Sequence, residues 1–230
     1  MIICNDTLEV LKNYSEINQS LLFKQGSELK TVNEQTNVLS KCVVNETFPQ
    51  DFAIYDLNKF LGVMSLFSEP NLEFAENSVT IKSSVDANNF VAGDQRAEYQ
   101  FASLSLFEDE EKILAKDIQL PSVEAEFYLE EKFLTQVMRA AAVMGLPEVA
   151  FESEAGNNIH MKAIDSKTSV DSYSVDVGQP ANSAFKMIFK IENLKMLRGS
   201  YDVRISNKGL GHFSHKTREL QYWIATETST

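Results

Sequence analysis

The sequence predicts an α+β protein of two similar domains, each with two helices packed on antiparallel sheets. Three observations predict it. One order of elements occurs twice: an amphipathic helix, a run of short strands, then a strand that feeds directly into a second helix. The strand-to-helix unit reads Phe52-Ala53-Ile54-Tyr55-Asp56-Leu57-Asn58-Lys59-Phe60-Leu61 in the first half and Phe185-Lys186-Met187-Ile188-Phe189-Lys190-Ile191-Glu192-Asn193-Leu194 in the second. Strands outnumber helices in both halves. The 230 residues, 43% of them hydrophobic, suffice for two ordinary cores. A repeat with few helices and many strands points to a segment of a ring and not to a catalytic cleft.

The first helix is predicted over residues 6–16. Asn5 or Asp6 would cap it, and Leu8, Leu11 and Tyr14 form its apolar stripe. Strands follow over 20–24 and 29–32 around the Gln25-Gly26 turn, and over 38–43. The strand 51–55 enters a second helix over 56–67, where Leu57, Phe60, Leu61, Met64 and Phe67 share a face. Strands over 72–74, 78–83 and 88–91 complete a first domain, 1–104.

Residues 105–122 read as the connector. They hold the acidic run Glu108-Asp109-Glu110-Glu111, which has the composition of a solvated segment, and end in Gln119-Leu120-Pro121. The second domain, 123–230, opens with a strand over 124–128 and a helix over 129–144. That helix buries Phe133, Leu134, Val137, Ala141 and Met144 and stops at Gly145-Leu146-Pro147. Strands over 148–152, 159–163, 170–177 and 184–189 lead to a fourth helix over 190–198, closed by Gly199. Strands over 201–206, 211–215 and 220–226 end the chain.

Little here suggests catalysis. The sequence has no phosphate-loop, dinucleotide or nucleophile-elbow motif. His212 and His215 resemble a metal pair, but residues three apart on a strand point to opposite faces. Trp223 beside Tyr222 is explained by packing. No metal and no cofactor is expected. Cys4 and Cys42 form no framework, so a reduced, intracellular protein is the simplest expectation. The first residues lack the pattern of a signal peptide. No apolar run approaches the roughly 18–20 residues that span a bilayer, so no membrane partner is expected.

Charge is unevenly distributed. The net charge is −12, which alone argues against a protein that grips nucleic acid through many phosphate contacts. Yet the four predicted helices carry seven acids and seven bases, so the whole excess lies outside them. Glu130, Glu131 and Arg198 suit the helix dipole. Lys12, Lys59 and Arg139 fall mid-helix, away from the ends the dipole favours. Either they are ordinary surface bases or the polar helix faces meet a polyanion.

These residues also carry a family resemblance. The chain is similar to the sliding clamps of T-even-type bacteriophages, the DNA polymerase processivity factors. The most specific match is Ala53-Ile54-Tyr55-Asp56-Leu57-Asn58 with Phe60-Leu61-Gly62 and Ser65-Leu66. Asp6-Thr7, Leu11-Lys12-Asn13, Ile17-Asn18, Lys24 and Gly26 form a second, and Asn193, Lys195-Met196, Gly199 and Tyr201 a third. Tyr222-Trp223-Ile224-Ala225 resembles the clamp C-terminus more widely, including the proliferating cell nuclear antigen. The similarity runs nearly end to end and is weakest over 86–123.

The resemblance implies a DNA clamp fold and a head-to-tail homotrimeric ring. Helices would line the hole, and the acidic exterior would repel DNA from the wrong surface. Duplex DNA would be held by topology and loose, sequence-independent contacts. Lys12, Arg139 and Lys195 match basic positions of the family. Lys59, Lys132 and Arg198 are taken as DNA-facing on the helical pattern alone. Ala142 stands where the family pattern has an arginine. Subunit contacts would be heterologous and made by edge strands, with Phe90, Val91, Val170, Tyr173 and Val175 as candidates. Leu39, Leu120, Pro121 and Tyr222 would line a partner-peptide pocket.

The implied partners are duplex DNA, a replicative DNA polymerase, an ATP-dependent clamp loader and further copies of the chain, with late-transcription factors for some members. The implied location is the cytoplasm of an infected bacterial host. Two rivals stay open at this point. An acidic interaction or structural phage protein that encircles no DNA leaves the neutral helix set unexplained. An enzyme requires a cluster of perturbed polar groups that no motif supplies.

Overall fold

The computed structural model describes residues 1–83, 95–168 and 171–227. The chain divides into two compact units. One comprises Met1–Val32 and Lys41–Lys116, the other Asn33–Ser40 and Asp117–Thr230.

The first unit runs α1 (Asn5–Ile17), β1 (Leu21–Phe23), β2 (Gly26–Val32), β3 (Val38–Phe48), β4 (Phe52–Ile54), α2 (Leu57–Met64), β5 (Pro70–Phe74), β6 (Ser78–Ser83), β7 (Arg96–Gln100) and α3 (Glu108–Leu114). The strands form two antiparallel arrays, in the orders β4-β1-β2-β3 and β5-β6-β7. Helix α1 buries Val10, Leu11 and Tyr14, and α2 buries Leu57, Phe60 and Met64. Phe23 stacks on Phe52 at 4.4 Å and meets Phe48 edge-on at 4.9 Å, so aromatic rings fill the sheet side of this core.

The two helices begin differently. Asp56 caps α2 as a short polar residue should, its carboxylate accepting the Lys59 N–H at 2.9 Å. At α1 the N-cap is Cys4, which makes no side-chain cap. Neither Asn5 nor Asp6 serves as expected. Glu46 of β3 supplies the acceptor instead, taking the Cys4 N–H and the Thr7 hydroxyl. Helix α2 also ends at Met64, short of residue 67. There Leu66 and Phe67 N–H bond to the carbonyls three residues back, which tightens the last turn.

The acidic segment is structured. A 3₁₀ turn, Leu104–Phe107, leads into α3, whose first turn holds Glu108, Asp109, Glu110 and Glu111. The exposed carboxylates of Glu108, Asp109 and Glu111 complement the positive end of the helix dipole. Phe107 packs on Leu22 and Ala53, and Leu114 is buried. The first part of the expected connector is therefore docked onto the first unit. The strand expected over 88–91 lies outside the described residues.

The second unit runs β8 (Ala125–Leu129), α4 (Glu131–Met144), β9 (Glu148–Ser153), β10 (Asn158–Ile164), β11 (Ser172–Pro180), β12 (Phe185–Lys190), β13 (Tyr201–Ser206), β14 (Leu210–His215) and β15 (Leu220–Ala225). Its arrays are β11-β10-β9-β12 and β15-β14-β13-β8. The first residues of β3 lie with this unit, where the Ser40 hydroxyl donates to the Gln221 carbonyl at 2.9 Å. Phe127, Phe151, Phe189, Phe213 and Tyr201 form the aromatic core. Helix α4 stops at Gly145, whose φ of +67° is left-handed.

The expected fourth helix is absent. Residues Ile191–Asn193 make a single 3₁₀ turn, and an irregular segment follows to Gly199. The repeat explains why. Where the first unit has the capping Asp56, the second has Lys190, which makes no cap. The backbone of Leu197 and Arg198 instead bonds to side chains of Tyr201, Tyr222 and His215.

Candidate nucleic-acid interface

Four of the expected DNA-facing bases lie on three helices. Lys12 lies on α1, Lys59 on α2, and Lys132 and Arg139 on α4, all exposed. Their positions follow from the apolar stripes: with Leu11 and Tyr14, or Phe60, or Leu134 and Val137 turned inward, these bases must turn outward. Among the described residues Lys12, Lys59 and Arg139 form no ion pair with a carboxylate. Of the bases on strands, Lys30, Lys41, Lys82, Lys162, Lys186 and Arg204 each reach one. Lys132 is different: it pairs with Glu130 at 2.7 Å and its ammonium sits 4.6 Å from the Phe133 ring centre.

The charge balance survives the revised boundaries only with α3 set aside, since α3 adds four acids and one base. Helices α1, α2 and α4 hold four acids and four bases. The balance is local, however. On α1, Glu9 and Glu16 share the exposed face with Lys12. On α4, exposed Ala142 and Val143 follow Arg139, so that face ends neutral. Each of these helix faces by itself offers isolated phosphate contacts and not a run of bases.

Lys195 and Arg198 are exposed on the irregular segment 194–199. Their position is set by buried side chains beneath. The Tyr222 hydroxyl accepts the Leu197 N–H at 3.1 Å, and the Tyr201 hydroxyl donates to the Leu197 carbonyl. His215 Nε2 donates to the Arg198 carbonyl at 3.2 Å, while its Nδ1 accepts the Thr217 N–H. No local pattern reveals these supports, because each comes from a different strand or its edge.

This geometry corrects one expectation. Tyr222 is fully buried, so it has no surface to offer a peptide and acts as core and support. Leu39 is 8% exposed, Leu120 is half-buried and Pro121 is exposed. Phe90, Val91 and Val170 lie outside the described residues. Tyr173 and Val175 are half-buried on β11, in register with Ala163 and Met161 of the core face. Among the described residues β11 and β7 each have one strand neighbour, which makes them edges. The edge of β8 is blunted: the Gln179 amide bonds both the N–H and the carbonyl of Tyr128.

His212 and His215 do not share a face. His212 stacks on Trp223 at 4.9 Å, while His215 meets Tyr201 edge-on. Among the described residues no three acidic, histidine or cysteine side chains cluster as metal ligands, and no helix is long and apolar enough to cross a membrane.

The architecture is that of the DNA clamps. The PCNA of A. fulgidus, solved with the C-terminal region of FEN-1, matches with a TM-score of 0.71 at 11% identity, over 100% of this chain and 98% of that one. The Helicobacter pylori beta clamp matches with a TM-score of 0.69 at 14% identity, over 99% of this chain and 65% of that one. At sequence level, residues 5–112 match the family described as DNA polymerase processivity factor, and residues 126–228 match the gp45 sliding clamp, C terminal. The sliding clamp of Vibrio phage KVP40 is 29% identical over 96% of both chains, and that of Enterobacteria phage T4 is 25% identical over 100% of this chain and 98% of its own. The chain belongs to the phage sliding-clamp family of polymerase processivity factors, which are not enzymes.

Proposed function

We propose that three copies of this chain close head to tail into a ring around duplex DNA and tether a replicative DNA polymerase to it. The observation that carries this is the set of exposed helix bases, Lys12, Lys59 and Arg139, which have no carboxylate partner among the described residues while many strand bases are paired. Such bases remain available to phosphate. Their sparseness suits sliding, because many strong contacts would pin the ring. Lys132, Lys195 and Arg198 complete the DNA-facing set.

The two clamp domains would be 1–104 and 123–230, joined by 105–122. Ring closure would pair the edge strand β11, with Tyr173, Val175 and the neighbouring Val170, against an edge of the next copy's first domain. Phe90, Val91 and β7 are the candidates there. Leu39, Leu120 and Pro121 would receive a short apolar segment of a partner. An ATP-dependent loader would open the ring, and the protein would work in the cytoplasm of the infected host. A role in late transcription belongs to the same proposal.

Topology provides the test. The ring should be retained on nicked circular DNA through a salt wash and lost from the same DNA once it is linearised. Equal retention on both forms would refute encirclement.

A further inference from the structure

We infer that Tyr201, Tyr222 and His215 are positioning residues for DNA contact, holding the segment 194–199 so that Lys195 and Arg198 stand at a fixed place. They replace with side-chain hydrogen bonds what α1, α2 and α4 achieve by being helices. The inference rests on the proposed DNA-facing role of Lys195 and Arg198.

The main chain of this segment does not hold itself. Its backbone bonds end with Leu194 N–H to Ile191 and Met196 N–H to Leu194. Beyond them, both polar groups of Leu197 are taken by tyrosine hydroxyls and the Arg198 carbonyl by an imidazole. All three supporting side chains are buried: Tyr201 and Tyr222 are 0% exposed and His215 is 8% exposed. Three rings pack around Tyr201, His215 at 5.1 Å, Tyr222 at 6.2 Å and Phe213 at 6.5 Å. Burial pushes the Tyr201 hydroxyl well above its ordinary pKa, so it stays a donor.

His215 is locked as one tautomer. Nδ1 accepts from Thr217 N–H, so the ring proton is on Nε2 and points at the Arg198 carbonyl. Gly199 lets the chain press against that ring. A Cβ there would lie 2.1 Å from Nε2, and φ is +150°. The segment is thus clamped on both sides of Arg198. A base displayed on a fixed backbone gives up less freedom on meeting phosphate than one on a loose loop.

The test compares Tyr201→Phe, Tyr222→Phe and the double variant with Lys195→Ala/Arg198→Ala, and with all four changes together. Phenylalanine keeps the ring and removes only the hydroxyl. Duplex binding is read by anisotropy of a labelled linear duplex, whose open ends admit the ring without a loader, over a salt series. Amide exchange at Leu197 is read without DNA, and the single Phe variants stand in if the double variant does not fold.

The inference predicts faster exchange at Leu197 and weaker binding in the Phe variants. The salt slope should fall by about 0.9 for each phosphate that is no longer neutralised. It predicts no further weakening when the Phe changes are added to Lys195→Ala/Arg198→Ala. A wild-type slope in the Phe variants, or a weakening that adds in full to that of the alanine variant, overturns it. If Lys195→Ala/Arg198→Ala itself keeps the wild-type slope, the DNA-facing role of those bases fails, and the inference falls with it.

Discussion

The Glu46 carboxylate accepts the Thr7 hydroxyl and so closes the N-terminal end of α1 from a strand 39 residues away. Its other oxygen accepts the Cys4 N–H. A helix that bears one of the proposed DNA contacts, Lys12, is thereby tied to the sheet beneath it. Glu46 is 8% exposed, so replacing one carboxylate oxygen with an amide NH2 sets a donor against one of these two donors and leaves it without an acceptor.

Glu46→Gln should therefore destabilise the first unit by about 1–3 kcal/mol, read as a lower urea midpoint. The effect depends on pH. Burial alone would raise the Glu46 pKa, but the Cys4 and Thr7 hydrogen bonds outweigh it and hold the carboxyl below 4.5. A depressed folded pKa contributes stability that is complete above the unfolded value and is lost as pH falls through the folded one. The gap between wild type and Glu46→Gln should close on acidification below about pH 4.5.

Glu110 should behave in the opposite way. Burial raises its carboxyl from 4.5 to about 7, and Oε1 is buried without a partner among the described residues. A raised folded pKa means that wild-type stability declines as pH climbs from 4.5 to about 7. Glu110→Gln should escape that decline. After discounting for solvent access, it should be more stable by about 1–2 kcal/mol near pH 8 and no different near pH 4. Urea midpoints at the two pH values check this.

Two glycines should respond with opposite signs. Gly62 is an exposed position inside α2, and nothing lies within 4 Å of an added Cβ. Gly62→Ala should stabilise by about 0.5–1 kcal/mol through helix propensity. Gly199→Ala would drive its Cβ into His215 at a positive φ, and should cost more than about 2 kcal/mol. Calorimetric melting of both variants checks the pair.

Reversing charge on Lys12, Lys59 and Arg139 to Glu should weaken duplex binding and reduce its salt dependence without changing the assembled mass. All three are exposed and none is in an ion pair among the described residues, so melting should shift little. Unaltered DNA binding would remove these bases from the interface.

The elements legible in the sequence are those whose signal is local. Leu11 and Tyr14, then Leu57, Phe60 and Met64, and then Leu134, Val137 and Ala141 announce α1, α2 and α4, and the outward bases follow from them. Val10 takes the buried place in α1 that was expected of the half-buried Leu8. The segment after β12 misleads because Ile191, Leu194 and Leu197 imitate a helical stripe. Its conformation is decided by Tyr201, Tyr222 and His215, which arrive later in the chain. Helix α3 hides behind four acids that look like solvated surface, although acids in a first turn are also a helix signal. Glu46 illustrates the same limit: a cap supplied from another strand leaves no mark near the helix it caps.

The central claim is a closed ring of identical subunits. Light scattering over a concentration series tests it most directly. The account predicts a species of three times 25.9 kDa. A monomer at every concentration would contradict it.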